Sequence, residues 1–311
     1  MDELWKRALD VRYVKLHFTV RFPEDCILPV NKVSAIRGGM GEMLLRMNCI
    51  RDRNCEKCDF EKECLVRRMM YSRFEIRPAF VTQGESIGYV LECEDYREIF
   101  RRGESLSFHL LLFGKTIVHL NHYIQAFCML GIEGIGKYHA KFQVAAITNT
   151  KGEPLLQNDT IYMEKCEVMT LLDYVEYRLK NIFRSGLEGK LVFKTPLTLK
   201  YRGEFLKEFR IDAILEAALR RIYMLDCYEG IDEDVTRYEI PEIPDIVSQS
   251  VRNVQVRRFS SKQQSGMILH GIEGQMALET IDEELLPVLL AGELVHVGKN
   301  SRFGFGRFQV K

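Results

Sequence analysis

His296-Val-Gly-Lys-Asn-Ser-Arg-Phe-Gly-Phe-Gly-Arg-Phe-Gln-Val-Lys311 is a glycine-hinged basic loop running straight into a strand. Gly298, Gly304 and Gly306 carry no Cβ, so the chain can bend sharply and come close to a ligand. Lys299, Arg302 and Arg307 supply charge with no acidic residue among them. The pattern suits a loop that brings bare backbone N–H groups and cations up to a phosphate. It suits a tight connection into a strand equally well. What precedes it in the chain decides what it belongs to.

An earlier glycine loop, Gly131-Ile-Glu-Gly-Ile-Gly136, also leads into a strand, Ala140 to Ile147, and follows an apolar strand (Leu106 to Phe113) and a helix (Thr116 to Leu130). Upstream, Val14 to Phe22 alternates with period two, which puts Val14, Leu16, Phe18 and Val20 on a core face and Lys15, His17, Thr19 and Arg21 on the other. Ser34 to Met47 then carries Ile36, Met40, Met43, Leu44 and Met47 at helical spacing, with Ser34 as a candidate N-cap.

The second half repeats this order. Leu191 to Tyr201 reads as a strand, Phe209 to Tyr223 as an amphipathic helix, and Asp282 to Leu290 as a helix before the terminal loop. The opening strands, Val14 and Leu191, are 177 residues apart, and the loop glycines, Gly136 and Gly306, are 170 apart. The pattern predicts an α+β chain of two tandem ferredoxin-like domains, residues 1–187 and 188–311, divided near Ser185-Gly-Leu-Glu-Gly189.

A chain of 311 residues with 46% hydrophobic and 28% charged content suits a globular protein with two medium-sized cores. No apolar run approaches the roughly 20 residues that span a bilayer. Met-Asp-Glu-Leu-Trp-Lys at the start lacks the layout of a signal peptide, so the expected location is the cytoplasm, with no membrane partner. The formal charge is zero, 44 basic against 44 acidic residues, which excludes a uniformly basic surface. The distribution is uneven. Asp226 to Asp245 holds eight acids and Arg237 alone as a base, whereas Val251 to Gly271 holds Arg252, Arg257, Arg258 and Lys262 and no acid. A neutral total thus conceals a basic face of the kind a nucleic acid needs.

Of nine cysteines, Cys26, Cys93, Cys128, Cys166 and Cys227 are scattered as small core residues would be. The other four form Cys49-x5-Cys55-x2-Cys58-x5-Cys64, a cysteine-knuckle insertion of about residues 48–68 in the first domain. Two short-range thiol pairs can close a tetrahedron around a structural zinc. An iron–sulfur cluster uses the same ligands, and free thiols or disulfides are the plain alternative. Four thiolates leave no open position for substrate, so a metal here would be structural. Arg51, Arg53, Lys57, Lys62, Arg67 and Arg68 surround the knuckle.

The helix start Ser34-Ala-Ile-Arg-Gly-Gly39, the paired ferredoxin-like (RRM-like) halves and the terminal glycine loop resemble the RAMP superfamily of CRISPR RNA-binding proteins. The second half is similar to the C-terminal domain of the CRISPR precursor-RNA-processing endoribonucleases, the sixth Cas family. The matching blocks are Leu191 to Lys200, Arg257-Arg-Phe-Ser-Ser261, Gly271-Ile-Glu-Gly274 and Leu289 to Arg307. The resemblance implies a metal-independent endoribonuclease that cuts CRISPR repeat RNA, needing no cofactor for catalysis. In that family the ribose 2′-hydroxyl attacks the neighbouring phosphate and leaves a cyclic phosphate. Implied partners are repeat RNA or the processed guide RNA and other Cas proteins, with a homodimer left open. The alternative within the superfamily is a non-catalytic subunit that holds guide RNA in an effector complex.

Such chemistry needs a base, an acid and cations for the charge that builds on phosphorus. Many relatives place a catalytic histidine in or near the first helix, yet Asn31 to Met47 contains neither histidine nor tyrosine. The candidate catalytic residues are therefore His139 with Tyr138 and Lys137, which follow the first glycine loop, and His122, three residues after His119 on one helix. His17 falls on the polar strand face, and His296 is assigned a structural or RNA-contacting role. Arg37 with Gly38 and Gly39 starts a helix, where free N–H groups favour an anion. Lys299, Asn300 and Arg302 would serve the RNA backbone in the second half, with Arg257, Arg258 and Lys262 extending the track.

Overall fold

The computed structural model describes residues 3–53, 55, 58–71, 74, 76–81, 87–157, 160–240, 242–260 and 265–311. Helix α1 (Glu3–Ala8) leads into β1 (Arg12–Arg21), β2 (Cys26–Ile27), α2 (Val33–Asn48), α3 (Leu65–Met70), β3 (Tyr89–Glu92), β4 (Ile99–Phe100) and β5 (Ser105–Phe113). A 3-10 turn (Gly114–His119) precedes α4 (Leu120–Glu133), β6 (Gln143–Thr148), β7 (Pro154–Gln157), β8 (Thr160–Ile161), β9 (Met169–Thr170) and α5 (Leu171–Ser185). The second half holds β10 (Lys190–Leu197), β11 (Lys200–Tyr201), β12 (Glu204–Phe205), α6 (Ile211–Glu229), β13 (Ile246–Ser260), β14 (Ser265–Leu278), α7 (Leu286–Val295) and β15 (Phe308–Val310).

Both halves wind their main strands the same way. The first sheet runs β3-β5-β1-β6 before continuing into β7 and β8, and the second runs β13-β14-β10-β15. In each, the first strand lies between the third and the fourth, and the pairing of the main strands is antiparallel. This is the strand order of a split βαβ unit.

Strand β1 forms because its alternation matches two environments. Val14, Leu16, Phe18 and Val20 are buried beneath α2 and α4, together with Leu106, Phe108, Leu110 and Leu112 of β5. Phe18 stacks on Phe108 at 4.9 Å, and burying a side chain of that size contributes about 2–3 kcal/mol. Helix α4 meets α2 at Gly39, where an added Cβ would collide with Leu130. A second core gathers α5, α6, α7 and one face of the second sheet, and takes in Trp5, Tyr13, Val90, Leu111 and Phe113 from the first half. The two halves therefore share apolar surface. Arg12 to Glu229 and Arg7 to Glu233 add ion pairs across the same junction.

Several boundaries differ from the sequence reading. Helix α2 begins at Val33 with Lys32 as N-cap, so Ser34 lies inside the first turn and makes no capping bond. The segment from residue 116 splits into a 3-10 turn and α4, which runs on through Gly131 to Glu133. The helix expected over 282–290 is α7, Leu286–Val295, with Pro287 at its start. Every residue of α7 is buried, so it has no polar face to mark its ends. Strand β10 stops at Leu197, and Cys128 is exposed rather than in a core.

Helix α5 and the β13–β14 hairpin had no counterpart in that reading. Thr170 and Asp173 form a reciprocal capping box at the start of α5. In the hairpin, β10 pairs with β14 only as far as Ile272, so the outer part of β13 and β14 projects as a two-stranded arm. Among the described residues no helix is long and apolar enough to cross a membrane.

Candidate nucleic-acid interface

Three arginines from distant parts of the chain converge on one ring. Arg37 in the first turns of α2, Arg258 on the β13 arm and Arg302 in the terminal loop lie 4.9, 4.4 and 5.4 Å from the centroid of buried Phe303. Burial, and then the charges of Arg37 and Arg302, pull the pKa of Arg258 below the ordinary arginine value. Like charges held this close disfavour one another's ionised forms, a cost that an anion placed between them would relieve. The Nε atoms of Arg37 and Arg258 are buried without a hydrogen-bond partner, as are Asn31 Oδ1 and Ser34 Oγ at the start of α2. Ser34 Oγ and the Arg37 and Arg258 Nε atoms are thus unspent donors, and Asn31 Oδ1 an unspent acceptor, near the positive end of a helix dipole and beside three guanidinium groups.

The terminal loop holds this geometry with its backbone. Val297 N–H donates to the Gly306 carbonyl, Lys299 N–H to Thr198, Gly306 N–H to Pro196, and Phe303 and Phe305 N–H to Asn300. Arg307 N–H donates to Thr195 Oγ1. These N–H groups are spent inside the protein, so the expectation that the loop offers bare amides to a phosphate fails for them. The glycines serve close packing instead. At φ 75°, a Cβ on Gly306 would overlap the Val297 carbonyl, and one on Gly298 would lie 2.7 Å from the Thr198 carbonyl. Asn300 takes a left-handed φ of 67° so that its carbonyl can accept inward. Lys299 projects over the Phe205 ring at 5.5 Å.

Other expected contacts sort differently. Arg257 and Arg258 are neighbours on β13, so they point to opposite faces, and only Arg258 reaches Phe303. Gly38 is exposed with open space above it, whereas Gly39 is engaged against α4. Lys262 lies outside the described residues. Sequence reasoning missed Asn31 and Phe303, although an aromatic set between two loop glycines was the visible signal for the latter.

The candidate catalytic residues fall into two groups. Ile135 and Ala140 bridge to close a loop in which Lys137 sits 5.3 Å over the Tyr138 ring and His139 takes φ 50°. Gly136 of this loop faces Leu28 and Pro29, on the segment that leads into α2. His122 is near the other end of α4, roughly 17 Å away along the helix axis. There it pairs edge-to-face with His119 at 6.1 Å, its Nδ1 buried without a partner. His122 and His139 cannot serve one reacting phosphate.

His296 is fully buried at the end of α7. Its Nδ1 lies 3.0 Å from the Phe305 carbonyl and its Nε2 3.0 Å from Glu92 Oε1. Glu92 also bonds Lys15 at 2.9 Å and lies 3.5 Å from Arg307. Burial opposes its ionisation, yet Lys15, His296 and Arg307 together hold its pKa well below the ordinary carboxylate value. Burial pushes the His296 pKa down while Glu92 pulls against it. This hub fastens the terminal loop to β1 and β3, so His296 is structural.

Cys49 caps the end of α2 and Cys64 the start of α3, with Cys55 and Cys58 between. All four thiols are free and half-buried. Burial raises the pKa of Cys55, Arg67 lowers it, and the Cys64, Cys49 and Cys58 thiols raise it further. Among the described residues no three potential ligands converge on one point.

Two family models match the chain: AF_1859_N, described as an N-terminal domain, over residues 10–172, and CRISPR-associated endoribonuclease Cas6 over residues 191–308. An uncharacterized protein of Archaeoglobus fulgidus is 21% identical over 98% of this chain and 99% of its own length. Among solved structures, a partial Cas6-RT-Cas1–Cas2 complex superposes with a TM-score of 0.59 at 12% identity, over 97% of this chain and 46% of that one. The chain thus spans less than half the length of that relative. A Cas6 product complex superposes with a TM-score of 0.52 at 12% identity, over 95% of this chain and 98% of that one. These likenesses show the fold. The chain belongs to the family of the AF_1859_N N-terminal domain, whose model matches more than half of it, and its residues 191–308 are similar to CRISPR-associated endoribonuclease Cas6.

Proposed function

We propose that this protein is an endoribonuclease that binds and cleaves CRISPR repeat RNA in the cytoplasm, acting with other Cas proteins. The observation that carries the reading is the convergence of Arg37, Arg258 and Arg302 on Phe303, where the start of α2 meets the terminal loop. A phosphate held there would be surrounded by charge that can stabilise a pentacoordinate transition state. The reaction needs no metal: the 2′-hydroxyl attacks the adjacent phosphorus, the 5′-oxygen leaves with a proton, and a cyclic phosphate remains. His139 is the proposed base, with Lys137 and Tyr138 beside it, supported by the packing of their loop on the segment that enters α2. His122 is left out of that set by its distance.

Two tandem ferredoxin-like domains, dividing at residues 187 and 188 between the two family matches, would share the RNA. The thiols of Cys49, Cys55, Cys58 and Cys64, set between the end of α2 and the start of α3, would have to move together to hold a structural zinc.

One observation favours a second reading, a subunit that holds RNA without cutting it: α2 contains neither histidine nor tyrosine. Incubation of the protein with end-labelled repeat RNA in EDTA separates the two. Specific cleavage leaving a cyclic phosphate is expected, with His139→Ala slower by about 10²- to 10⁴-fold. Tight binding without cleavage would refute the enzyme reading.

A further inference from the structure

The face of the first sheet that α2 and α4 leave uncovered has no part in the arginine site. There His17 of β1 and His109 of β5 oppose each other directly across the ladder and stack with ring centroids 4.9 Å apart. Burial first, and then Lys15, lower the pKa of both rings, that of His109 to about 4, so both are neutral near pH 7. Glu92, opposite His109 on β3, fixes Lys15 and Arg307 at the edge of this face.

Beside the histidines opens a groove of about 860 Å³. Its walls are the turn from Glu94 to Arg97, and its floor is Ser105, Ser107 and His109, which share one face of β5. Tyr96 is 49% exposed. Arg97 is tied to Asp95 and Arg307 to Glu94, so the cations here are already neutralised.

A phosphate would meet two carboxylates in this groove, which argues against one. A planar heterocycle meets rings to stack on and hydroxyls and carboxylate oxygens that accept hydrogen bonds. Carboxylates accept from exocyclic amino groups, and ring-bearing residues on the two central strands of a split βαβ sheet are where such sheets stack unpaired bases. The volume lies within the range of small-ligand sites.

We propose that this groove is a nucleobase pocket, taking one unstacked amino-bearing base of single-stranded RNA against Tyr96 and the His109–His17 pair. The base's amino group donates to Glu94 or to a serine hydroxyl. This proposal rests on the RNA-binding reading above and adds to the sequence-blind arginine site a contact that reads the base.

The test uses the full chain and fluorescence anisotropy with labelled short homopolymers of riboadenylate, ribocytidylate and ribouridylate, and with an abasic ribose-phosphate oligomer of equal length. Wild-type protein is expected to bind the adenylate and cytidylate polymers about tenfold more tightly than the abasic one, with uridylate between. Tyr96→Ala removes that advantage and leaves abasic binding unchanged, whereas Tyr96→Phe retains it. Tyr96 is exposed, so neither variant threatens the fold. Tight RNA binding that Tyr96→Ala does not alter would overturn the pocket alone, and equally weak binding of all four polymers would overturn the RNA-binding reading with it.

Discussion

Replacing Glu92 by glutamine should loosen the joint between the halves by a measurable and specific amount. The carboxylate is 3% exposed and is shared by Lys15, His296 and Arg307, which come from β1, the end of α7 and the terminal loop. Breaking a buried pair by removing one partner typically costs about 3–5 kcal/mol, because an uncompensated charge is left behind. Here Lys15 and Arg307 keep 22% and 24% exposure and can recover water, so the lower end, about 3 kcal/mol, is expected for Glu92→Gln. That corresponds to a fall in Tm of roughly 4–5 °C for a chain this long. His296→Ala should cost a similar amount, and the double variant less than the sum, by about 1–2 kcal/mol.

The sign with pH follows from the depressed pKa of Glu92. Its contribution is present above the unfolded carboxylate value of about 4.3 and is lost as pH falls through the folded value. The gap between wild type and Glu92→Gln should therefore be full at pH 7 and shrink in strong acid. Urea unfolding of the four proteins at both pH values is the assay. Additivity within about 0.5 kcal/mol at pH 7, or a gap indifferent to acid, would refute the hub as a coupled unit.

Other expectations concern charge and metal. Each of Arg37→Ala, Arg258→Ala and Arg302→Ala should reduce the slope of log affinity against log salt for repeat RNA by about 0.7, while Arg220→Ala, on an exposed part of α6, leaves it unchanged; equal slopes throughout would remove the cluster from the RNA path. Asp226 on α6 is fully buried and burial raises its pKa to about 7. Its contribution is intact below the unfolded value of about 3.9 and is lost as pH rises through about 7, so Asp226→Asn should raise Tm relative to wild type at pH 8.5 and not at pH 4. Elemental analysis should find about one zinc per chain, lost on Cys55→Ser; a brown protein with iron, or a metal-free one, would overturn the zinc proposal.

The strands that alternate were legible because one face is dry and the other wet: β1 reads correctly down to the side on which Lys15 and His17 lie. Helix α7 was displaced because all ten of its residues are buried, leaving no periodicity to locate its ends. The arm of β13 and β14 was invisible for the opposite reason, since water reaches much of its surface and polar residues such as Arg252, Asn253, Gln255 and Arg257 erase the apolar signal. Helix α5 was readable in principle, from Thr170 and Asp173 at capping-box spacing ahead of Leu171, Val175 and Ile182.

At the site, sequence identified the charges but not their meeting. Arg37, Arg258 and Arg302 stand out as cations in a linear reading, yet only the tertiary path of the hairpin arm selects Arg258 over Arg257. The terminal glycines were read as a way to expose amides, and the structure spends those amides on holding the loop in place. Local pattern recorded that the backbone bends there and could not say toward what.

The shared Phe303 ring has a thermodynamic consequence. Because its three arginines belong to a helix of the first half, an arm of the second and the terminal loop, any polyanion that bridges them binds the assembled chain and not its separated parts. RNA is then linked to folding: at a hundred times its dissociation constant it would add about 2.7 kcal/mol to the stability of the whole. The melting temperature becomes a readout of occupancy, and a protein kept with a bound polyanion would outlast one that has released it.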